Sequence, residues 1–207
     1  RNLRMQAEPG EDVSFSDSRQ LSDYSRGLIE QAVRYNVVSG YPDGTFRPTE
    51  PITRSEFTKI AVSFFEFTEG DLTYDGRFSD VEGTEWYVTF LAAAVEYGLI
   101  EGMPDGTFHP LDNITRAEAC TIVNRTLGRA PHEAHLLPRG EMLTWPDNNT
   151  SAWYYAAMQE ATNSHDYIWT EGEDTEEWTG RLTERDWAAL ERVRSDAHDA
   201  PGGEVMD

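Results

Sequence analysis

The sequence predicts an all-α protein made of tandem helix-loop-helix units. The segment at 40–48, GYPDGTFRP, returns at 102–110 as GMPDGTFHP, with seven identical positions. Apolar residues before each copy recur at the spacing of an α-helix, and a threonine and a glutamate three residues apart after each copy are typical of a helix start. An internal period of this kind is the mark of a repeat architecture.

The first helix of each unit is predicted from a stripe of apolar residues. In the second unit this stripe is formed by Trp86, Phe90, Ala94 and Tyr97, at steps of four, four and three. The corresponding residues of the first unit are Tyr24, Leu28, Ala32 and Tyr35. This spacing places them on one helix face, which we expect to lie in the core.

The loop and the second helix follow in the same order in both units. A Pro-Asp-Gly turn ends the first helix, since proline cannot continue it and glycine allows a tight reversal. Thr53 with Glu56, and Thr115 with Glu118, then form the pattern of a capping box at the start of the second helix. Five apolar residues supply the buried face of that helix in the first unit: Phe57, Ile60, Ala61, Phe64 and Phe65.

A third, divergent copy is predicted near the end of the chain. It keeps the apolar residues Trp153, Ala157, Trp187 and Leu190, but the glycine loop is replaced by an acidic run at 166–177. Glu184 stands where the other copies have arginine, and Arg185 is displaced from that position by one residue. We expect this copy to close the core without supplying a full ligand site.

We divide the chain into six segments, with boundaries in polar stretches that lack helical periodicity. They are an N-terminal tail (1–12), a first repeat (13–69), a second repeat (70–127), a linker (128–143), a divergent third repeat (144–197) and a C-terminal tail (198–207). A single unit cannot cover its own apolar face, so we expect the repeats to pack around a shared centre with pseudo-threefold symmetry.

Composition excludes several classes of partner. The 207 residues include 17 basic and 38 acidic side chains, for a net charge of -21, which disfavours nucleic acid and anionic membranes. The longest apolar stretch, 90–95, is far too short to cross a bilayer. The one cysteine, Cys120, excludes an intrachain disulfide, and we expect it to be an inert core residue. The chain starts with arginine, so we read it as a fragment.

These motifs resemble the S-layer homology domain, which usually occurs as three tandem copies. The resemblance rests on the FSD openings at 15–17 and 78–80, the tryptophan-led helix, the glycine loop and the ITRxE segments at 52–56 and 114–118. It implies a spindle of three helical prongs on a central three-helix bundle that anchors exported bacterial proteins to the cell wall. It further implies grooves that bind secondary cell-wall polysaccharide, often ending in a pyruvylated amino sugar.

Arg54 and Arg116 are the main candidate ligand contacts, because the resemblance assigns the acid group of the ligand to this arginine. Each also follows a threonine cap, where a guanidinium and the free amides of a helix start converge on one point suited to an anion. We expect the two arginines to act in separate grooves. The alternative for each is an ion pair with a nearby acid such as Glu56 or Glu118.

Six further residues are candidate glycan contacts, each with a structural alternative. Trp86 and Trp153 could stack on a sugar ring or lie in the core. Gly40 and Gly102 could admit a ligand close to the backbone or end the first helix. Asp17 and Asp80 could contact ligand or serve as cap and turn residues.

No catalytic site, cofactor or metal is expected. The sequence holds no phosphate-binding glycine loop, nucleophile elbow or dinucleotide fingerprint, and the cluster at 132–135, HEAH, lacks the spacing of a zinc peptidase. The acidic run at 166–177 is interpreted as solvated surface, with calcium binding as the alternative.

We therefore predict an extracellular, non-catalytic module that anchors a bacterial surface protein by binding an anionic cell-wall polysaccharide. An alternative is a protein-interaction or surface-lattice module, with other surface-layer proteins as partners, that keeps the scaffold without binding glycan. A third class, a glycan-active enzyme, would require turnover by this chain alone.

Overall fold

The computed structural model describes residues 14–21, 23–65, 72–169, 172 and 174–183. They fall into two compact units that divide between Glu50 and Pro51. The two predicted tails and four residues of the third copy (Glu184, Arg185, Trp187 and Leu190) lie outside the described residues.

The described part of the chain is a mixed α/β protein, so the all-α prediction is wrong. It contains five α-helices and one two-stranded antiparallel sheet. Their bounds are α1 Asp23–Arg34, α2 Arg54–Phe64, α3 Val88–Glu96, α4 Arg116–Thr126, α5 Tyr155–Thr162, β1 His165–Trp169 and β2 Glu176–Arg181. The sheet lies where the third copy lacks the glycine loop. Tyr167, Ile168 and Trp169 favour an extended chain, and the segment lacks the Pro-Asp-Gly turn of the other copies.

In the first unit, an aspartate organises the glycine loop. Asp17 accepts hydrogen bonds from the backbone N–H of Phe46 at 2.9 Å and of Arg47 at 2.7 Å. The Phe15 ring is buried and packs on Phe46, with ring centroids 5.3 Å apart. The loop is therefore fixed from the FSD motif by one carboxylate and one aromatic ring.

The second glycine loop repeats this arrangement. Asp80 accepts from the backbone N–H of Phe108 and of His109, both at 2.8 Å, and Phe78 packs on Phe108 at 5.3 Å. The two loops thus share one hydrogen-bond pattern, as their near-identical sequences predict.

Asp43 gives the first loop a defined response to acid. Its carboxylate accepts hydrogen bonds from the Thr45 hydroxyl at 2.6 Å and the Thr45 backbone N–H at 3.0 Å, and from the Arg47 guanidinium at 2.8 Å. The Thr45 hydroxyl and Arg47 lower the pKa of Asp43 to about 2, from an ordinary value of 3.8. A carboxyl whose pKa is lowered by folding stabilises the native loop above its ordinary pKa, and that stabilisation is lost as the pH falls towards 2.

We therefore expect NMR titration of the carboxyl carbon to place the midpoint of Asp43 well below 3.8. Arg47→Gln should move that midpoint upwards, because it removes one charged hydrogen-bond donor. A midpoint that Arg47→Gln leaves unchanged would contradict this account of the loop.

Both predicted capping boxes are confirmed. The Thr53 hydroxyl accepts from the Glu56 backbone N–H at 3.3 Å, and Glu56 accepts from the Thr53 backbone N–H at 2.8 Å. Thr115 and Glu118 repeat the two distances at the start of α4. These caps fix where the TRxE segments begin their helices.

The core of the second compact unit, which begins at Pro51, is built by helices α2, α3 and α4. Helix α2 contacts both α3 and α4, and α4 contacts α5. The most deeply buried apolar side chains are Val62, Leu91, Ala93, Ala94, Leu99 and Phe108. Cys120 is half-buried, and burial raises the pKa of its thiol. No helix in the described ranges combines the length and apolar character needed to cross a membrane.

The apolar stripe predicted for the second repeat is only partly correct. Ala94 is fully buried, but Trp86 and Tyr97 are 54% and 47% exposed. Helix α3 begins at Val88 and ends at Glu96, so neither aromatic residue lies within it. The neighbouring Tyr87 is buried in place of Trp86.

The described residues of the acidic run lie in a hairpin and are mostly exposed, in agreement with the prediction of solvated surface, with Glu176 as the buried exception among them. Strands β1 and β2 pair with Tyr167 opposite Trp178, and a bulge lies between Asp166 and Tyr167. Trp178 is buried with Met142 and Tyr155 in a second small apolar cluster. The hairpin is therefore packed on the protein by its own tryptophan.

Candidate ligand-binding groove

The second compact unit contains a groove of about 590 Å³ beside the start of α2. Its lining comes from Arg54 and from the second glycine loop and the start of α4. The residues that line it are Arg54, Met103, Pro104, Asp105, His109, Asp112, Asn113, Thr115 and Glu118. The groove therefore joins the TRxE segment of the first repeat to the loop of the second.

Arg54 is the buried cation of this groove. It is the first residue of α2 and only 7% exposed. Its Nε donates to the Phe108 carbonyl at 2.8 Å, its Nη1 pairs with Glu118, and its guanidinium lies 4.7 Å from the centre of the Phe108 ring. Burial lowers the pKa of Arg54 and Glu118 opposes that effect, while an arginine remains charged in any case.

Glu118 performs two tasks at once. Its Oε2 accepts from the Thr115 backbone N–H and hydroxyl, both at 2.8 Å, in the capping box of α4. Its Oε1 pairs with Arg54. Arg54 is thus paired with the acid of the following repeat and not with its own Glu56, an arrangement that sequence spacing alone could not distinguish.

The amides at the start of α2 are already used by protein. The backbone N–H of Arg54 donates to the Asp112 carbonyl at 2.9 Å, and that of Ser55 donates to the Pro110 carbonyl at 3.0 Å. The prediction that helix-start amides and guanidinium converge on an anion is therefore wrong at α2. Within the described residues, the Arg54 guanidinium still has N–H donors without an acceptor, including those on Nη2.

The surroundings of Arg54 are acidic. The groove presents the carboxylates of Asp105, Asp112 and Glu118, and Asp112 lies 3.3 Å from the His109 ring. Carboxylates accept hydrogen bonds from hydroxyl groups, whereas they repel a ligand that is anionic along its length. The groove is thus suited to a hydroxyl-rich ligand with at most an isolated acid group directed at Arg54.

Arg116 has a different environment from Arg54. It is exposed at the start of α4 and does not line the groove. In the part of the chain that the structure describes, neither its side chain nor the backbone N–H groups of Arg116 and Ala117 have an acceptor. At α2 the equivalent amides donate to carbonyls in the loop of the next repeat. The predicted third copy lacks that loop.

Trp86 and Trp153 are exposed but lie outside the groove lining. Trp153 is 71% exposed, and each tryptophan stands two residues before its helix. Each ring meets the next tyrosine edge to face, Trp86 with Tyr87 at 5.3 Å and Trp153 with Tyr154 at 5.5 Å. The second repeat and the predicted third copy therefore each present an aromatic face to solvent.

The remaining candidates hold the loops together. Asp17 and Asp80 use both carboxylate oxygens on loop amides. Gly40 and Gly102 have positive φ, 69° and 84°, and each lies directly under the phenylalanine of its FSD motif. Their hydrogen bonds and packing give all four a structural role, but neither glycine ends a helix as predicted, because α1 ends at Arg34 and α3 ends at Glu96.

The sequence reasoning missed the groove residues His109, Asp112 and Asn113. His109 and its counterpart Arg47 both adopt positive φ, 56° and 59°, which is unusual outside glycine. No residue type in the loop signals that conformation. The one available signal is that Arg47 and His109 stand at one of the two positions at which the repeated segments differ.

Comparison with known proteins identifies the repeats. The S-layer homology domain matches residues 14–58 and 77–120. A cellulosome-anchoring protein of Acetivibrio thermocellus is 32% identical over 75% of this chain and 34% of its own length. A surface layer protein of Brevibacillus choshinensis is 33% identical over 50% of this chain and 9% of its own.

An enzyme is also similar. Endo-1,4-beta-xylanase A of Thermoanaerobacterium saccharolyticum is 35% identical over 51% of this chain, in a match that covers 9% of the enzyme. The similarity to these relatives thus spans about a third of their length or less. Two repeats are established by the family match, while the third rests on the sequence pattern and the Trp153 arrangement.

Proposed function

Since the chain belongs to the S-layer homology family, we propose that it is a non-catalytic module that anchors the protein carrying it to the bacterial cell wall, outside the cell, by binding wall polysaccharide. The observation that carries this proposal is the polar groove in which Arg54 is held by Glu118 and the Phe108 carbonyl. That arrangement keeps a cation rigid and partly desolvated at the wall of a groove open to a ligand.

The groove chemistry supports a sugar ligand. Asp105 and Asp112 would accept hydrogen bonds from sugar hydroxyls, and Nη2 of Arg54, which has no acceptor among the described residues, would donate to one acid group such as a pyruvyl carboxylate. A charge-assisted hydrogen bond in a desolvated site contributes more than the same bond in water. Specificity would therefore come from hydroxyl positions, with the acid group fixing the orientation.

Arg116 is proposed as a second, weaker contact. Its guanidinium and two helix-start amides have no acceptor among the described residues, but they do not line the groove at Arg54. The exposed faces of Trp86 and Trp153 are proposed as stacking surfaces for sugar rings beyond the groove.

The relatives support an accessory role. The match to the xylanase covers only 9% of that enzyme, and the relative from Acetivibrio thermocellus is described as an anchoring protein. We therefore propose that any catalytic activity of the full protein would reside outside this chain.

Sedimentation with cell walls tests the proposed function. Purified chain should co-sediment with polysaccharide-bearing walls and remain in solution with the same walls after the polysaccharide has been extracted. Equal binding to extracted walls would overturn glycan recognition. Absence of wall binding, together with association with surface-layer proteins, would favour the lattice module.

A further inference from the structure

A buried polar cluster joins the hairpin to the helices, apart from the groove. We name Glu160 on α5, His165 on β1 and Glu176 on β2 the acid-histidine cluster. One ligand atom from each of the three lies within 4.8 Å of the others. Arg129 borders the cluster. It forms an ion pair of 2.7 Å with Glu160, and it donates hydrogen bonds of 2.7 Å to Glu176 and 2.8 Å to the His165 Nε2.

The hydrogen bonds determine the tautomer of His165. Its Nδ1 lies 2.8 Å from the Asn163 carbonyl, which can only accept, so Nδ1 carries the proton. Nε2 then presents a lone pair towards Arg129 and towards Glu160, whose Oε2 is 3.3 Å away. Trp178 stacks on the imidazole at 3.7 Å and fixes its plane. A histidine oriented through its other nitrogen in this way is typical of metal ligands.

The cluster leaves one carboxyl oxygen unsatisfied. Glu160 and Glu176 share the single guanidinium of Arg129. Glu176 is fully buried, and its Oε1 has no hydrogen-bond partner within the described residues. A buried carboxyl oxygen without a partner is costly, and a bound metal cation would satisfy it.

We propose that the acid-histidine cluster binds a divalent transition metal, best matched by Zn²⁺, through Glu160, His165 and Glu176. One imidazole nitrogen with two carboxylates suits Zn²⁺ better than Ca²⁺ or Mg²⁺, which prefer oxygen ligands alone. Zinc bonds of about 2.1 Å place ligand atoms about 3.4 Å apart, so the three must close by up to about 1.4 Å.

Arg129 is the resident cation that the metal displaces. Its side chain is 21% exposed, against 3% for His165 and Glu160. Its guanidinium lies 4.0 Å from the centre of the Tyr167 ring, which is 40% exposed. Withdrawal of Nη2 along this ring towards solvent would free the lone pair of Nε2. The metal would then tie α5 to both strands of the hairpin.

Calorimetric titration of the metal-free chain with ZnCl₂ tests the proposal. We expect saturable binding at one site and a higher Tm with zinc. Glu176→Gln and His165→Gln should each weaken binding at least tenfold, whereas Arg129→Gln should strengthen it by removing the competing cation. His132→Gln is the matched control, since His132 is an exposed histidine outside the cluster, and it should leave affinity unchanged.

Absence of saturable binding by the unaltered chain would overturn the proposal. Binding abolished by His132→Gln, or weakened by Arg129→Gln, would assign the metal elsewhere and overturn it too. Zinc X-ray absorption of the unaltered chain decides the matter if the cluster variants fail to fold. One imidazole in a shell otherwise of oxygen ligands would support the site, and two or more imidazoles would contradict it.

Discussion

Replacing Arg54 with glutamine should lower the free energy of unfolding by about 3 kcal/mol, because it breaks an ion pair that is largely removed from water. The side chains of Arg54 and Glu118 are 9% and 16% exposed. The variant leaves Glu118 without its cation and the Phe108 carbonyl without the Nε donor. Denaturant unfolding followed by circular dichroism measures the change.

The chain provides its own control for this experiment. Arg116→Gln alters the same position of the next repeat, where the side chain is exposed and has no acceptor among the described residues. It should change the free energy of unfolding by about 0.5 kcal/mol or less. Equal losses from the two variants would contradict the assignment. In a double-mutant cycle, Glu118→Gln and Arg54→Gln should couple strongly, because both remove the same ion pair. Glutamine at 118 can still cap α4, so loss of the cap should not obscure the coupling.

Gly102→Ala should lower the free energy of unfolding by about 2 to 4 kcal/mol, because the new Cβ causes both backbone strain and overpacking. Gly102 has φ of 84°, where a side chain costs about 1 kcal/mol. A Cβ there would also overlap the Phe78 ring and lie 2.9 Å from the Thr107 carbonyl oxygen, which adds about 1 to 3 kcal/mol of overpacking. Loss of near-ultraviolet circular dichroism at lower denaturant would report the effect.

Gly106→Ala separates the two effects. Gly106 has nearly the same φ, 82°, but a Cβ there meets nothing within 4 Å. It should cost only the backbone strain, about 1 kcal/mol. If both alanine variants proved equally destabilised, the packing of Phe78 on Gly102 would not be the reason for this glycine.

Local patterns predicted the local structure well. The capping boxes at Thr53 and Thr115 each join two residues three positions apart, so their spacing carries the information. The hairpin was missed because helical periodicity had been carried into the third copy, where Tyr167, Ile168 and Trp169 favour a strand.

The groove could be predicted only in part. Arg54 was found through its motif, but its partner Glu118 is 64 residues away and its backbone amides are taken by a loop of the next repeat. Such contacts depend on how one repeat meets the next, which no spacing within a repeat reveals. Trp86 lies outside its expected helix, and its neighbour Tyr87 is the buried aromatic residue.

The most direct test of polysaccharide binding at the Arg54 groove is wall sedimentation of Asn113→Trp against Leu111→Trp. Asn113 is exposed and lines the groove, so an indole there should fill it. Leu111 lies two residues away, is 69% exposed and does not line the groove. With both variants folded, we expect at least tenfold weaker wall binding for Asn113→Trp and unchanged binding for Leu111→Trp. Unchanged binding by Asn113→Trp would contradict it.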